Sequence, residues 1–305
     1  MSDAPSITLD NRVAIVTGGA RGLGRAHALA LARYGARVVV NDLGALVDGN
    51  GADESAAEVV AEEIRSLGGE AVADTNSVTT PEGGEAIVKT ALDAFGQIDI
   101  VVNNAGILRD KAFQNMTPDL VDGVFDVHLR GAFNVTRPAW HHFREQGHGR
   151  VINTSSNAGI LGNFGQANYG TAKAGLVGFT NVLAVEGAKY HINVNAIAPI
   201  ARTRMTEDIL GKLAERLDPE LVSPVVVWLA SDECRETGRV YSAGGGRVVR
   251  FFTAMSDGWS RSDGALTPED VRDHWDEIND DSRYSVPESI ADEFRALQKA
   301  LRSES

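Results

Sequence analysis

Short apolar runs alternate with amphipathic stretches along most of this 305-residue chain. Residues 13–17 (VAIVT) and 37–41 (RVVVN) are apolar with little polar interruption, the pattern of strands buried on both faces. Between them lie TGGARGLG, a glycine turn, and AHALALARYGA, a helical stretch. Strand, turn, helix and strand make a βαβ unit, whose right-handed crossover puts the two strands parallel in one sheet. ESAAEVVAEEIRSLG predicts an amphipathic helix with Val59, Val60, Ile64 and Leu67 on its apolar face. EAVADTNSV predicts a third strand, PEGGEAIVKTALDAFG a helix opened by Pro81, and IDIVVNNAG a fourth strand. A long helix is expected over 117–146, starting at Thr117-Pro118, and a fifth strand in GRVINTSSNAG. A second long helix covers 166–189, then HINVNAIAP is a sixth strand stopped by Pro199. PELVSPVVVWLAS reads as a helix and RVYSAGGG as a seventh strand.

This alternation predicts an α/β fold over residues 1–246, a Rossmann-type doubly wound parallel sheet of about seven strands with helices on both faces. Residues 247–305 read as a C-terminal helical extension. It opens with a strand and turn, has a helix start at Thr267-Pro268, and ends in a helix over roughly 287–302. Ile290, Phe294, Leu297 and Leu301 share one face of that last helix, so it should pack on the same domain or on a partner subunit.

Composition narrows the function classes. With 43% hydrophobic and 23% charged residues the chain is an ordinary globular one. Its net charge of −13, with no basic stripe, argues against nucleic acid and against an anionic membrane surface. Cys234 is the single cysteine, so no intrachain disulfide can form, which suits a reducing compartment. The N-terminus has no basic and apolar leader pattern, no apolar run approaches the ~20 residues of a membrane span, and the final RSES is not a peroxisomal address. A cytoplasmic protein is expected. No Cys/His ligand cluster occurs, so no metal is expected, and His141-His142 reads as part of a solvated helix face.

Two stretches carry candidate chemistry. Gly18, Gly22 and Gly24 follow a strand and open a helix, where glycines let the backbone turn and approach a pyrophosphate at the helix N-terminus. The plain alternative is a tight turn. Asp42 closes the second strand; a carboxylate there can bind ribose hydroxyls and repel a 2′-phosphate, which favours NAD over NADP. Arg21 in the glycine turn argues the other way, since it could pair with that phosphate. Asn103, Asn104, Ala105 and Gly106 end the fourth strand and could stabilise the sheet edge or line a cofactor pocket. Farther on, Tyr169 and Lys173 sit one helical turn apart, with Ser156 upstream. A phenol titrates near pH ~10, and an ammonium beside it would favour the phenolate and make a usable acid/base. Ser156 could donate to the same substrate oxygen. Such a trio moves a proton but cannot accept a hydride, so a cofactor is required. A Tyr-x-x-x-Lys pair alone is also an ordinary buried ring beside a snorkelling lysine.

TGGARGLG, NNAG, Ser156 and Y169-G-T-A-K173, in this order, resemble the short-chain dehydrogenase/reductases over about residues 10–246. VVVNDLG, VHLRGAF, TRPAW, GNFGQANY, RMT at 204–206 and the tail are similar to the (3R)-hydroxyacyl-CoA dehydrogenase domains of the type 2 multifunctional enzymes, a subgroup that also carries a 17β-hydroxysteroid dehydrogenase name. The resemblance implies Tyr169 as general acid/base, Lys173 lowering its pKa and holding the nicotinamide ribose, and Ser156 orienting the reacting oxygen. It implies NAD contacts at Gly18, Arg21, Gly22, Leu23 and Gly24, at Asp42, at Asn76, Ser77 and Val78, at Asn104, Ala105 and Gly106, and at Pro199 and Ile200. It also implies dimers or tetramers formed through the two long helices. Two positions depart from the family. His128 stands where the family has a catalytic asparagine; the subgroup resembles this sequence there, so His128 is either a proton-relay candidate or a helix histidine bonded to a backbone carbonyl. Asn76 stands where an aspartate often binds adenine. The expected reaction is NAD-dependent oxidation of a secondary alcohol, (3R)-3-hydroxyacyl-CoA to 3-ketoacyl-CoA, with a steroid alcohol as the alternative substrate. Reduction of acyl carrier protein thioesters is disfavoured by Asp42, and a non-catalytic NAD-binding regulator is the rival of another class. The walls that choose the substrate are expected around 157–168 and 200–217.

Overall fold

Successive side chains of each short strand enter opposite cores, which is why the runs carry so few polar gaps. In the computed structural model, which describes residues 7–51, 53, 55–202, 216–261 and 264–302, β1 (Val13–Thr17) sends Ala14 and Val16 to one apolar cluster and Val13 and Ile15 to the other. β2 (Arg37–Asn41) does the same with Val38 and Val40 against Val39. One cluster is closed by α1 (Gly22–Arg33), α2 (Ser55–Ser66) and α8 (Ser223–Ala230), through Leu31, Ile64 and Val226. The other is closed by α3 (Pro81–Phe95), α5 (Gly131–Gln146) and α7 (Ala167–Gly187), through Ile87, Phe143 and Ala184. The layers are therefore helix, sheet, helix.

β3 (Ala71–Asp74), β4 (Ile100–Asn103), β5 (Gly149–Thr154), β6 (Ile192–Pro199) and β7 (Val240–Gly244) join β1 and β2 in parallel. An eighth strand, β8 (Arg247–Phe251), completes the order β3-β2-β1-β4-β5-β6-β7-β8. The sequence reading counted about seven strands and gave the residues after 246 to the extension. Gly245 (φ 57) and Gly246 (φ 81) are both left-handed, which makes a two-residue type I′ hairpin turn and brings β8 back antiparallel. The order reverses between β1 and β4, and the crevice at that switch point, at the C-terminal strand ends, is where α/β sheets bind ligands.

Two local expectations need correction. On α2 the buried face is Ala56, Ala57, Val60, Ala61 and Ile64, while Val59 and Leu67 are exposed. The alanines let the helix sit close to the sheet, and this turns the larger Val59 outward. The helix expected over 117–146 is α4 (Pro118–Phe125) joined to α5 through one wide π-type turn, Asp126–Arg130, that contains His128.

Two compact units divide the chain, Met1–Arg250 and Phe251–Ser305, so the sheet runs a few residues past 246. In the second unit β9 (Met255–Ser256) pairs antiparallel with β10 (Tyr284–Ser285). α9 (Pro268–Asp273) starts with a reciprocal cap: Thr267 Oγ1 accepts the Asp270 N–H and Asp270 accepts the Thr267 N–H. α10 (Trp275–Ile278) and α11 (Ile290–Arg302) follow; the side chain of Leu301, assigned to the apolar stripe of α11, lies outside the described residues, as do residues 204–206. Among the described residues no helix is long and apolar enough to cross a membrane, and no group of side chains has the makings of a metal site.

One buried polar pair in this frame predicts acid sensitivity. His27 of α1 is fully buried, its Nδ1 2.9 Å from Ser223 Oγ of α8, and burial lowers its pKa to about 3. The unfolded chain takes up that proton near pH ~6.5 and the folded chain only near 3. Stability is therefore complete above pH ~6.5 and falls by roughly 1.4 kcal/mol per pH unit as the pH drops toward 3. Thermal unfolding from pH 7 to 4 should show this fall, and a His27→Gln variant should show a shallower one.

Candidate active site

The glycine turn is shaped by what surrounds it. Gly18 (φ 62) and Gly22 (φ 50) are left-handed. A Cβ on Gly24 would stand 1.9 Å from the Gly18 carbonyl oxygen, so only glycine allows that approach. Asn104 Nδ2 donates to the Thr17 and Gly18 carbonyls, both at 3.1 Å, and Thr17 Oγ1 accepts the Asn104 and Ala105 N–H groups. These bonds tie the turn to the end of β4. No side chain caps the start of α1, which leaves its first N–H groups available to an anion.

Asp42 is held by two backbone N–H groups. Its Oδ2 accepts the Ala20 N–H at 3.0 Å and its Oδ1 the Gly44 N–H at 2.7 Å, so it starts the loop while lining the cavity. Each oxygen keeps a further lone pair for a hydroxyl. Arg21 turns onto that same loop, 3.2 Å from the Ala45 carbonyl and 3.6 Å from Asp53. The Asn76 amide is half committed: one Nδ2 hydrogen goes to Asp74 at 2.8 Å, and the backbone carbonyl accepts from Asn41. The second Nδ2 hydrogen and Oδ1 stay free of these bonds, a donor and an acceptor side by side.

The proton-transfer candidates meet across β5 and α7. Ser156 caps α6 (Asn157–Leu161), its Oγ accepting the Ala158 N–H at 3.2 Å and donating to Asn157. Ser156 stands close enough to the Tyr169 phenol to favour its ionised form. Lys173 is buried, donates to the Thr154 carbonyl at 2.5 Å, and stands 5.6 Å from the centre of the Tyr169 ring. Burial lowers its pKa to about 7. The expected lowering of the Tyr169 pKa by Lys173 is not what this arrangement produces. Burial pushes the phenol up, Ser156 opposes the rise, and the Asp110 carboxylate adds to it. The same low dielectric that raises Tyr169 weakens the ammonium meant to lower it.

His128 sits in the wide turn with its ring edge-on to Tyr169, centroids 5.2 Å apart. Its Nε2 lies 3.0 Å from the Ile107 N–H and 2.8 Å from the Ile107 carbonyl. Burial first, then Lys173, hold its pKa well below the usual imidazole value, so the ring is neutral.

All the sequence-assigned site residues, from Gly18 and Asp42 through His128 and Tyr169 to Pro199 and Ile200, line one cavity of about 990 Å³. Its volume, glycine cradle and uncapped helix start fit a dinucleotide. The cavity also has walls that sequence reasoning missed. Leu46, Val47 and Gly49 reach it because the Leu108 N–H donates to Val47 and Arg109 donates to Asp48, which folds the loop after β2 onto the exit of β4. Gln166 and Asn163 fall in the wall expected at 157–168, Gln166 held by Asp110 at 2.6 Å and by Asn163 at 3.0 Å. None of these contacts leaves a periodic signal. Of the expected substrate wall at 200–217, residues 203–215 lie outside the described ones.

Residues 12–213 match the short chain dehydrogenase family. The chain is similar to mouse peroxisomal multifunctional enzyme type 2, 48% identical over 98% of this chain and 40% of that protein. Among solved structures it is similar to a short chain dehydrogenase from Mycobacterium avium (42% identity, TM-score 0.77, 90% of this chain and 98% of the other). It is also similar to full-length peroxisomal multifunctional enzyme type 2 from Drosophila melanogaster (37% identity, TM-score 0.82, 97% of this chain and 50% of the other). The chain thus spans about half or less of these two multifunctional relatives. Members of the matched family generally use nicotinamide dinucleotides, and the cavity has room for one. By sequence match, sheet order and shared architecture, the chain belongs to the short-chain dehydrogenase family and is an oxidoreductase.

Proposed function

We propose that this enzyme interconverts a (3R)-3-hydroxyacyl-CoA and its 3-ketoacyl-CoA with NAD. The observation that carries the reading is the convergence of Ser156, Tyr169 and Lys173 on a cavity that Asp42 also lines. The motifs shared with the (3R)-hydroxyacyl-CoA dehydrogenase domains favour the acyl-CoA substrate. The turn at Gly18–Gly24 and α1 would hold the pyrophosphate, Asp42 the adenosine ribose, and Lys173 the nicotinamide ribose. The bound dinucleotide supplies the hydride acceptor and, when oxidised, a positive charge beside the phenol. Ser156 orients the substrate oxygen, and Tyr169 takes the hydroxyl proton in oxidation or returns it in reduction. Because burial favours the neutral phenol, the protein alone rests in the proton-donating form. We read the cytoplasm as its compartment and a homo-oligomer as its working state, with α5 and α7 as the contact, on the exposure of Phe133, Val182 and Val185. Analytical ultracentrifugation tests the oligomer.

The substrate reading is tested by comparing a medium-chain 3-hydroxyacyl-CoA with a 17β-hydroxysteroid. Turnover of the steroid alone would overturn it. The cofactor reading is tested at Asp42. An Asp42→Asn variant keeps the side-chain volume and removes the charge that would face a 2′-phosphate. The NAD:NADP ratio of kcat/KM is expected to fall roughly tenfold or more, as a charge pair a few ångströms apart implies. An unchanged ratio would remove Asp42 from cofactor choice.

A further inference from the structure

Behind the active site, the end of β4 carries a polar chain that the dehydrogenase reading leaves unused. Thr180 in α7 gives its only hydroxyl proton to the Leu176 carbonyl, 2.8 Å away. Its oxygen must therefore accept from Asn153 Nδ2, at 2.9 Å. That makes Asn153 Oδ1 an acceptor, and Asn103 Nδ2 donates to it at 2.9 Å and to Thr136 Oγ1 at 2.9 Å. Reversing either amide would set like groups against each other. The backbone of α7 thus dictates the direction of the whole chain. At its far end Asn103 Oδ1 is a buried acceptor with no partner among the described residues.

His128 supplies the complementary orphan. Its Nδ1 is buried and also lacks a partner among the described residues. Its Nε2 faces both the N–H and the carbonyl of Ile107, and only one of these can be a hydrogen bond. An orphaned buried N–H is rarer than an under-satisfied carbonyl, so Nε2 accepts and the ring proton sits on Nδ1. One buried donor and one buried acceptor remain. Both residues line a single small cavity of about 10 Å³, with Thr17, Val78, Ala105 and Ala132 among its other walls. That is about the room one water needs.

We propose that a buried water accepts from His128 Nδ1–H and donates to Asn103 Oδ1, and that Asn103 is thereby a positioning residue that locks the His128 tautomer. The locked ring holds the Ile107 N–H and stands edge-on to Tyr169. Through Asn153 and Thr180 it is tied to the helix that carries Tyr169 and Lys173. The proposal rests on the reading of His128 as part of the reacting site, but its first test does not depend on turnover.

Long-range 1H–15N spectra of the full-length wild-type protein read the tautomer directly, with His128 assigned by the signals lost in His128→Gln. The expected result is the Nδ1–H form, unchanged from about pH 5 to pH 8. The Nε2–H form, or an imidazolium in that range, overturns the proposal. An Asn103→Leu variant, with folding checked by thermal unfolding, is expected to change the His128 signals. It should lower kcat about tenfold while leaving the KM for NAD near its wild-type value. A folded variant with wild-type kcat or wild-type His128 signals overturns it. Should that variant not fold, Ala132→Val fills the cavity without touching either amide and is expected to act in the same way. If no hydroxyacyl-CoA is turned over, the functional reading fails while the tautomer still decides this one.

Discussion

Tyr169→Phe is expected to reduce kcat by about 10³-fold, the range that a positioned general acid/base contributes. The substitution removes one oxygen and keeps the ring that fills the wall beside His128 and Lys173. It removes no hydrogen bond that the structure gives the phenol oxygen, so stability should change by no more than ~1 kcal/mol. Binding of NADH, followed by fluorescence titration, should stay within a few-fold of wild type, because the cofactor is held by the glycine turn and the strand ends. Loss of kcat with binding intact separates proton transfer from assembly of the site. Equal loss of both would mean that Tyr169 is a structural ring and that another group moves the proton.

Gly24→Ala should damage the opposite end of the cavity just as severely. A methyl group there would meet the Gly18 carbonyl oxygen at 1.9 Å and Asn104 Nδ2 at 2.6 Å. Both neighbours are tied: Asn104 is bonded to two carbonyls of the turn, and Gly18 lies against the Ala105 backbone. Neither can yield without opening the pyrophosphate cradle. The dissociation constant for NAD is expected to rise about 100-fold, and stability to fall by about 3 kcal/mol, the upper part of the usual range for overpacking. Calorimetric titration and thermal unfolding measure the two effects. A variant that binds NAD normally would place the dinucleotide elsewhere.

How much of this was legible in the chain depended on whether a feature is local. The glycine turn, Asp42 and the Tyr169–Lys173 pair each follow from a strand end or a helical turn, so periodicity and spacing place them on one rim. The place of β8 in the sheet depends on a two-residue glycine hairpin, and the sequence reading gave that strand to the extension. Val59 and Leu67 were assigned to a core that α2 fills with alanines, since a hydrophobic stripe alone does not say how close a helix approaches its sheet. The direction of the Tyr169 pKa shift was not legible either. It depends on how deeply Lys173 is buried and on Asp110, which the fold brings near from 59 residues upstream in the sequence. The chain from Thr180 to Asn103 is longer-ranged still: it joins α7, β5 and β4, and no spacing in the sequence marks it.

Initial rates of NADH formation with resolved (3R)- and (3S)-3-hydroxyacyl-CoA test the central claim most directly. The expected result is NAD-dependent turnover of the (3R) ester, little or none of the (3S) ester, and loss of the (3R) activity in Tyr169→Phe. No turnover of either ester by protein that binds NAD, or preference for the (3S) ester, would contradict it.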